Sequence, residues 1–287
     1  MNLFKIALSF SLTAILAFTG CSQDNGVNIV PGRSVEEENM KPDSSTGLFA
    51  YWSFQDESET QLVDSSDYAL NGVIHGATRT IEDGHVALKF DGEDDYVKME
   101  ARKGENLKHI SKLGDGSISV WFKLNSLPVG KQIFPIFYYG SSGPCDFFDA
   151  ANNGLIIEMG HHPVQYNSRR LYFTMWANGC TYPTFCFDSN HAIELGKWYH
   201  FVAVVGDNFN TGYLNGEEMT DRRYNFNDER ASQFFENAVA HEALWLGRGY
   251  WDSDMNYFDG FIGDVRVYAD ALSSQQIKEL YQEVQEK

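Results

Sequence analysis

The chain has 287 residues, 43% of them hydrophobic and 15% aromatic, enough to bury a sizeable core in one large domain or two small ones. Its 40 acidic residues outnumber 22 basic ones, for a formal net charge of -18. That balance sets aside nucleic acid and anionic membrane surfaces as partners, because both would repel it, and leaves neutral sugars and cations open.

The first twenty residues read as a leader, separate from the fold. Lys5 gives a weak positive start, the apolar run Ile6 to Phe18 is too short to span a bilayer, and small residues follow. The join Phe18-Thr19-Gly20-Cys21 resembles a bacterial lipoprotein cleavage box, with Phe18 where such boxes usually carry Leu. The resemblance implies that Cys21 is lipidated and becomes the first residue of the mature protein. It also implies an outer-membrane lipoprotein facing the periplasm or the cell surface, touching the membrane through its anchor alone. Residues 21–47, rich in Gly, Pro, Ser and acids, read as a flexible tether, and residues 48–287 as one folded domain.

From Leu48 onward the dominant period is two. Strands are expected at Ala50 to Phe54, Val73 to Ala77, Val86 to Phe90, Tyr96 to Met99, Ser117 to Leu124, Ile133 to Tyr139 and Leu155 to Met159. Further strands are expected at Leu171 to Ala177, Trp198 to Val205, Gly212 to Leu214, Leu244 to Gly247 and Phe261 to Tyr268. Short strands at this spacing, separated by Gly, Asp and Asn, predict an all-β, antiparallel two-sheet sandwich. Asp91-Gly92, Asp207-Asn208 and Asn215-Gly216 supply turn chemistry for three hairpins. In Trp198 to Val205 both alternating sets are largely apolar, as in a strand covered on two faces. Helical periodicity comes only at the end. Ser273 is the expected N-cap and Gln276 its capping-box partner, and Leu272, Ile277, Leu280 and Tyr281 share a face that should pack on the sandwich edge.

The segments Ala50-Tyr51-Trp52-Ser53-Phe54, Leu88-Lys89-Phe90-Asp91-Gly92, Ser117-Ile118-Ser119-Val120-Trp121-Phe122, Trp198-Tyr199-His200-Phe201-Val202, Tyr213-Leu214-Asn215-Gly216 and Gly263-Asp264-Val265-Arg266-Val267-Tyr268 resemble, in order, the laminin-G-like branch of the concanavalin A-like jelly rolls. The resemblance spans residues 48–283. It implies a structural calcium ion where the first loop, the Phe-Asp-Gly turn and the last strand meet; carried over by position, its ligands are Asp64, Asn71, Asp91 and Asp264. Many relatives carry two acids in the last strand, whereas here Gly263 follows Ile262 and Asp264 stands alone. Asp252 and Asp254 form a second acidic candidate.

Catalytic motifs of this fold are missing. The Glu-x-Asp-x-x-Glu strand of retaining β-glucanases is approached only by Glu93 to Lys98, with Lys98 where the second Glu is needed. Val73-Ile74-His75 is similar to an alginate-lyase fragment whose companion motifs do not follow, and His161-His162 has no third ligand at helical spacing. The chain is therefore read as not an enzyme.

A hairpin of Leu155 to Met159 with Leu171 to Ala177 would bring Cys145 near Cys180 and Cys186. One disulfide among the three is expected in an exported chain, with the pairing open. The surrounding loops are longer than the fold requires, and they carry Phe147, Phe148, Tyr182, Phe185 and Phe187. Sugars present apolar C–H faces ringed by hydroxyls, so their sites need aromatic platforms beside polar groups. Arg248, Tyr250, Trp251 and Tyr257 form one candidate group, and Trp176 with Tyr182 another. The function expected is a surface-anchored, lectin-like module that binds a glycan or polysaccharide. The alternatives are a hydrolase or lyase of the same fold with an unrecognised site, or a protein-adhesion module.

Overall fold

The computed structural model describes residues 47–100, 107–130, 132–143, 154–160, 170–175, 185–187, 193–220, 232–238, 240–251 and 254–285. In chain order the strands are β1 (Leu48–Trp52), β2 (Gln61–Leu62), β3 (Gly72–His75), β4 (Thr78–Glu82), β5 (His85–Asp91), β6 (Tyr96–Met99), β7 (Gly116–Leu124), β8 (Phe134–Gly140) and β9 (Leu155–Met159). They continue as β10 (Leu171–Met175), β11 (Phe185–Phe187), β12 (Trp198–Gly206), β13 (Phe209–Leu214), β14 (Glu217–Glu218), β15 (Ala243–Leu246), β16 (Arg248–Trp251), β17 (Asp254–Tyr257) and β18 (Asp259–Tyr268), and helix α1 (Ser274–Gln285) closes the domain.

Two eight-stranded antiparallel sheets stack as a sandwich. The first runs β14-β13-β12-β7-β18-β5-β4, with β1 also on β18; the second runs β11-β10-β9-β8-β15-β6-β3-β2. A separate hairpin, β16-β17, follows β15. Alternation decides what goes between the layers. From β7 the residues Ile118, Val120, Phe122 and Leu124 face the core, from β12 Tyr199, Phe201, Ala203 and Val205, and from β9 and β10 Leu155, Ile157, Met159, Leu171, Phe173 and Met175. The alternate residues of β12 face outward as expected, with Val202 and Val204 in a second apolar cluster beneath α1. Full burial of aromatic side chains such as Trp52, Phe122 and Phe201 contributes roughly 2–3 kcal/mol each before entropy is subtracted.

Two expectations are corrected. Asp91-Gly92 does not close a hairpin: β5 pairs with β4 and β18 in the first sheet, while β6 pairs with β3 and β15 in the second, so the chain crosses between layers here. The acidic run is the corner of that crossing. Asp91 Oδ1 accepts from the N–H groups of Glu93 and Asp94, and Asp95 Oδ2 accepts from Asp91 N–H. Helix α1, in turn, lies on the outer face of the first sheet and not on its edge, with Ile277 and Leu280 packed over Val202, Val204, Tyr213 and Tyr268. The Asp207-Asn208 and Asn215-Gly216 turns do join β12 to β13 and β13 to β14.

Candidate functional site

The outer face of the second sheet is built from the residues that alternate away from the core. Val97 and Met99 point inward, so Tyr96 and Lys98 point outward from β6; Leu244 and Leu246 do the same for Trp245 on β15. Register brings Trp245 opposite both Lys98 and Tyr138. The result is a row of rings across four strands. His75 stacks on Tyr96 at 4.3 Å, and Trp245 stacks on Tyr138 at 5.2 Å.

Arg248 joins the two halves of this row. The chain leaves β15 at Gly247 and turns back as β16, which sets the Arg248 guanidinium 4.4 Å from the Tyr96 ring centre and 4.5 Å from that of Trp245. Hairpin β16-β17 can lie this close because Gly249 has no side chain: a Cβ there would come within 3.0–3.3 Å of Tyr138 and Pro135. Asn256 Oδ1 accepts from Ile133 N–H and pins the hairpin to the start of β8. Tyr257 lies opposite Arg248 in the hairpin register, and Tyr250 packs against Trp245 at 6.1 Å.

Two polar groups on this face are not matched. Glu158, on β9 between Pro135 of β8 and Tyr172 of β10, is 0% exposed, and neither carboxyl oxygen has a hydrogen-bond partner among the described residues. Burial alone pushes its carboxyl well above the usual range, which favours the neutral acid. The indole N–H of Trp245 is also buried without an acceptor. Unmatched buried polar groups are costly, and where they persist they commonly serve a site.

Of the residues named from sequence, Arg248, Tyr250 and Tyr257 converge here. Trp251 ends β16, while Trp176 and Tyr182 lie outside the described residues. So do Cys21, Cys145, Cys180, Asp252, His161 and His162. Cys186 is in β11, opposite Thr174. Asp254 is exposed on β17.

The four calcium candidates occupy separate settings. Both oxygens of buried Asp64 are engaged, by Tyr51 N–H and Ser66 N–H on one side and Ser66 Oγ and Leu70 N–H on the other. Asn71 Oδ1 accepts from Asp64 N–H, which knots the first loop. Asp264 sits at a β-bulge with Arg266 Nε at 2.7 Å and Tyr51 Oη at 3.1 Å. Gly263 is needed at that bulge, because a Cβ would meet the Val86 carbonyl oxygen at 2.6 Å. Asp91 instead clusters with Asp94 and Asp95, the one group of three candidate metal-binding side chains within 4.8 Å among the described residues. Backbone N–H bonds, from Glu93 first, lower the Asp91 carboxyl, while burial and then the Asp91 charge raise that of Asp95. The oxygens of Asp64, Asn71 and Asp264 thus serve the protein's own donors, and neither Asp64 nor Asp264 falls in the acidic group at Asp91 among the described residues.

On the opposite side of the molecule, a shallow cleft of about 40 Å³ is lined by Ser53, Gln55, His85, Trp121, Asp264 and Val284. Its tryptophan stacks on His200 at 5.0 Å and on Tyr281 of α1 at 5.5 Å.

Residues 91–278 match the laminin-G group described as the concanavalin A-like lectin/glucanases superfamily. The chain belongs to this superfamily. Curated proteins gave no match. Among solved structures, the chain is similar to Trypanosoma rangeli sialidase in complex with sialic acid, with 18% identity, a TM-score of 0.55, and coverage of 82% of this chain and 32% of that one. It is also similar to domain 4 of a GH43 extracellular arabinanase from Geobacillus stearothermophilus in complex with arabinotriose, with 19% identity, a TM-score of 0.55, and 82% and 98% coverage. A third likeness is to the binding domain of Botulinum neurotoxin DC in complex with rat synaptotagmin II, with 15% identity, a TM-score of 0.54, and 83% and 52% coverage. This superfamily member spans about a third of the sialidase and about half of the toxin chain. At these identities the likeness is one of fold.

Proposed function

We propose that this superfamily member is a carbohydrate-binding module that takes a glycan on the outer face of its second sheet, along the rings joined by Arg248. In the same reading it is held at the outer membrane by a lipid on Cys21, with residues 21–47 as its tether, and it binds without cleaving. One observation carries the proposal: Tyr96, Arg248, Tyr257 and Tyr250 form a half-buried, ordered platform of ring faces and a cation, with no helix over it among the described residues. Stacking on sugar C–H faces needs such rings, and polar neighbours then fix orientation. Sugar-binding and sugar-cleaving proteins among the fold neighbours support the ligand class.

The test is a glycan array with the full chain, followed by titration calorimetry on the strongest hit with Tyr250→Ala and Tyr257→Ala. Binding should weaken by about tenfold in either variant, the order expected for a lost ring contact, with no new reducing ends or unsaturated sugars in the mixture. A silent array, or affinity indifferent to both substitutions, would reject the platform.

A further inference from the structure

The charge on this face narrows the ligand. Three other buried or half-buried cations among the described residues meet carboxylates: Arg79 pairs with Asp56, Lys123 with Glu82 and Asp83, and Arg266 with Asp264 and Glu283. Arg248 is half-buried as well, yet among the described residues no carboxylate lies within ion-pair distance of it. In a chain with 40 acidic residues that exception is informative.

Its surroundings also fix which part of the guanidinium is available. Tyr96 and Trp245 take the π-face, and the Nε–H donates to Met255 Sδ at 3.0 Å. The terminal nitrogens have no acceptor among the described residues. A guanidinium edge held in place by packing, with donors to spare, is matched by a planar two-oxygen acceptor. Lys98 adds a second positive charge on the same face, next to Trp245 in register, although Glu100 contacts it at 3.1 Å.

We infer that the glycan carries a carboxylate, as uronic and sialic acids do, and that Arg248 binds that carboxylate through its terminal N–H groups while the half-buried Tyr250 and Tyr257 beside it contact the pyranose. The inference rests on the carbohydrate reading above and adds the class of sugar. The net charge of -18 does not forbid it, because charges beyond about 8 Å are largely screened at physiological salt, whereas a guanidinium in contact is not.

Calorimetry on the full chain with matched probes tests it: trigalacturonate against its methyl ester, and 3′-sialyllactose against lactose. At least one acid should bind about tenfold or more tighter than its neutral partner, the order expected for a charge-assisted bond. That preference should vanish in Arg248→Met, which should bind the acid and its neutral partner equally. If Arg248→Met unfolds, Arg248→Lys keeps the stem and charge without the fork and should lose most of the preference. Equal affinity for acid and neutral partner, or a preference that survives in the arginine variants, overturns the carboxylate inference and leaves carbohydrate binding standing. No binding to any of the four probes, with neutral hits elsewhere on the array, also overturns it, and silence across the whole array overturns both.

Discussion

The two outer faces of the sandwich start from the same alternation and end differently. On the first sheet, Trp121 lies between His200 and Tyr281, His200 Nε2 bonds Ser119 Oγ at 2.8 Å, and Arg266 ties Asp264 of the sheet to Glu283 of the helix. The polar groups that alternation places there are mostly matched, buried His200 Nδ1 being an exception among the described residues, and helix α1 covers them. On the second sheet, among the described residues, Arg248 has rings but no carboxylate, the Glu158 carboxyl has no hydrogen-bond partner, and the Trp245 indole N–H has no acceptor. Aromatic content does not separate the two faces, since both are rich in rings. Completeness of polar partnering does, and it marks the second face as the one with work left for a ligand.

The largest expected effect comes from testing whether the first face is structural. Trp121→Ala should cost about 3–5 kcal/mol, as for other fully buried aromatic side chains, read as a lowered urea midpoint. Glycan affinity should hold wherever the variant is folded. A loss of affinity with little loss of stability would place the ligand in the cleft beside Trp121 and reverse the comparison.

Much of the fold was legible. Tyr96 to Met99 and Leu155 to Met159 were delimited as they stand, because strict alternation or an unbroken apolar run bounded by turn residues leaves little choice. The strands not anticipated are short or weakly patterned: β2 and β14 have two residues each, β4 is a polar edge strand, and Gly249 interrupts β16. Asp91-Gly92 has the residues of a hairpin turn, and nothing local says that the strands it joins belong to different layers. The site was partly legible for the same reason. Arg248, Tyr250 and Tyr257 fall in one segment and could be named together. Tyr96, Tyr138, Trp245 and Glu158 come from β6, β8, β15 and β9, and only the order of strands in the sheet makes them neighbours. Their outward direction could be read from alternation, but not which strand lies beside which. Whole-chain charge pointed to a neutral sugar, and it averages away half-buried Arg248, which has no carboxylate within ion-pair distance among the described residues.

Glu158→Gln sharpens the comparison with an intermediate effect. The folded state holds this carboxyl well above its ordinary range through burial, so the folded protein keeps a proton that the unfolded chain gives up. Stability from this group is therefore full below the ordinary carboxylate range and falls as pH rises toward the raised value. The variant cannot ionise, so it should match the wild type near pH 4 and exceed it at pH 8, by about 1–3 kcal/mol if the cost is that of one unmatched buried polar group. His200 on the other face runs the opposite way. Burial, and then Arg266, lower its pKa to about 3, so its contribution is present above the ordinary histidine range and is lost as pH falls toward 3. Melting curves of wild type and Glu158→Gln from pH 4 to 8 separate the two, and superimposable curves at pH 8 would mean that Glu158 finds a partner in solution.

The smallest effect concerns what holds the cover on the first face. Ser273 N–H and Oγ both donate to Gln276 Oε1, at 2.9 and 2.8 Å, and Gln276 N–H reaches back toward Ser273 Oγ, the reciprocal cap expected from the sequence. A helix of 12 residues is marginal by itself in water, so α1 depends on Ile277, Leu280 and Tyr281 packing onto the sheet, and the cap only trims the fraying of its first turn. Ser273→Ala should accordingly cost about 1 kcal/mol, read as a small drop in the urea midpoint. Glycan affinity should stay unchanged, because α1 and the Arg248 platform lie on opposite outer faces with the apolar core between them. If affinity fell together with the cap, the core would be transmitting strain from one sheet to the other, and the two faces would have to be treated as one coupled surface.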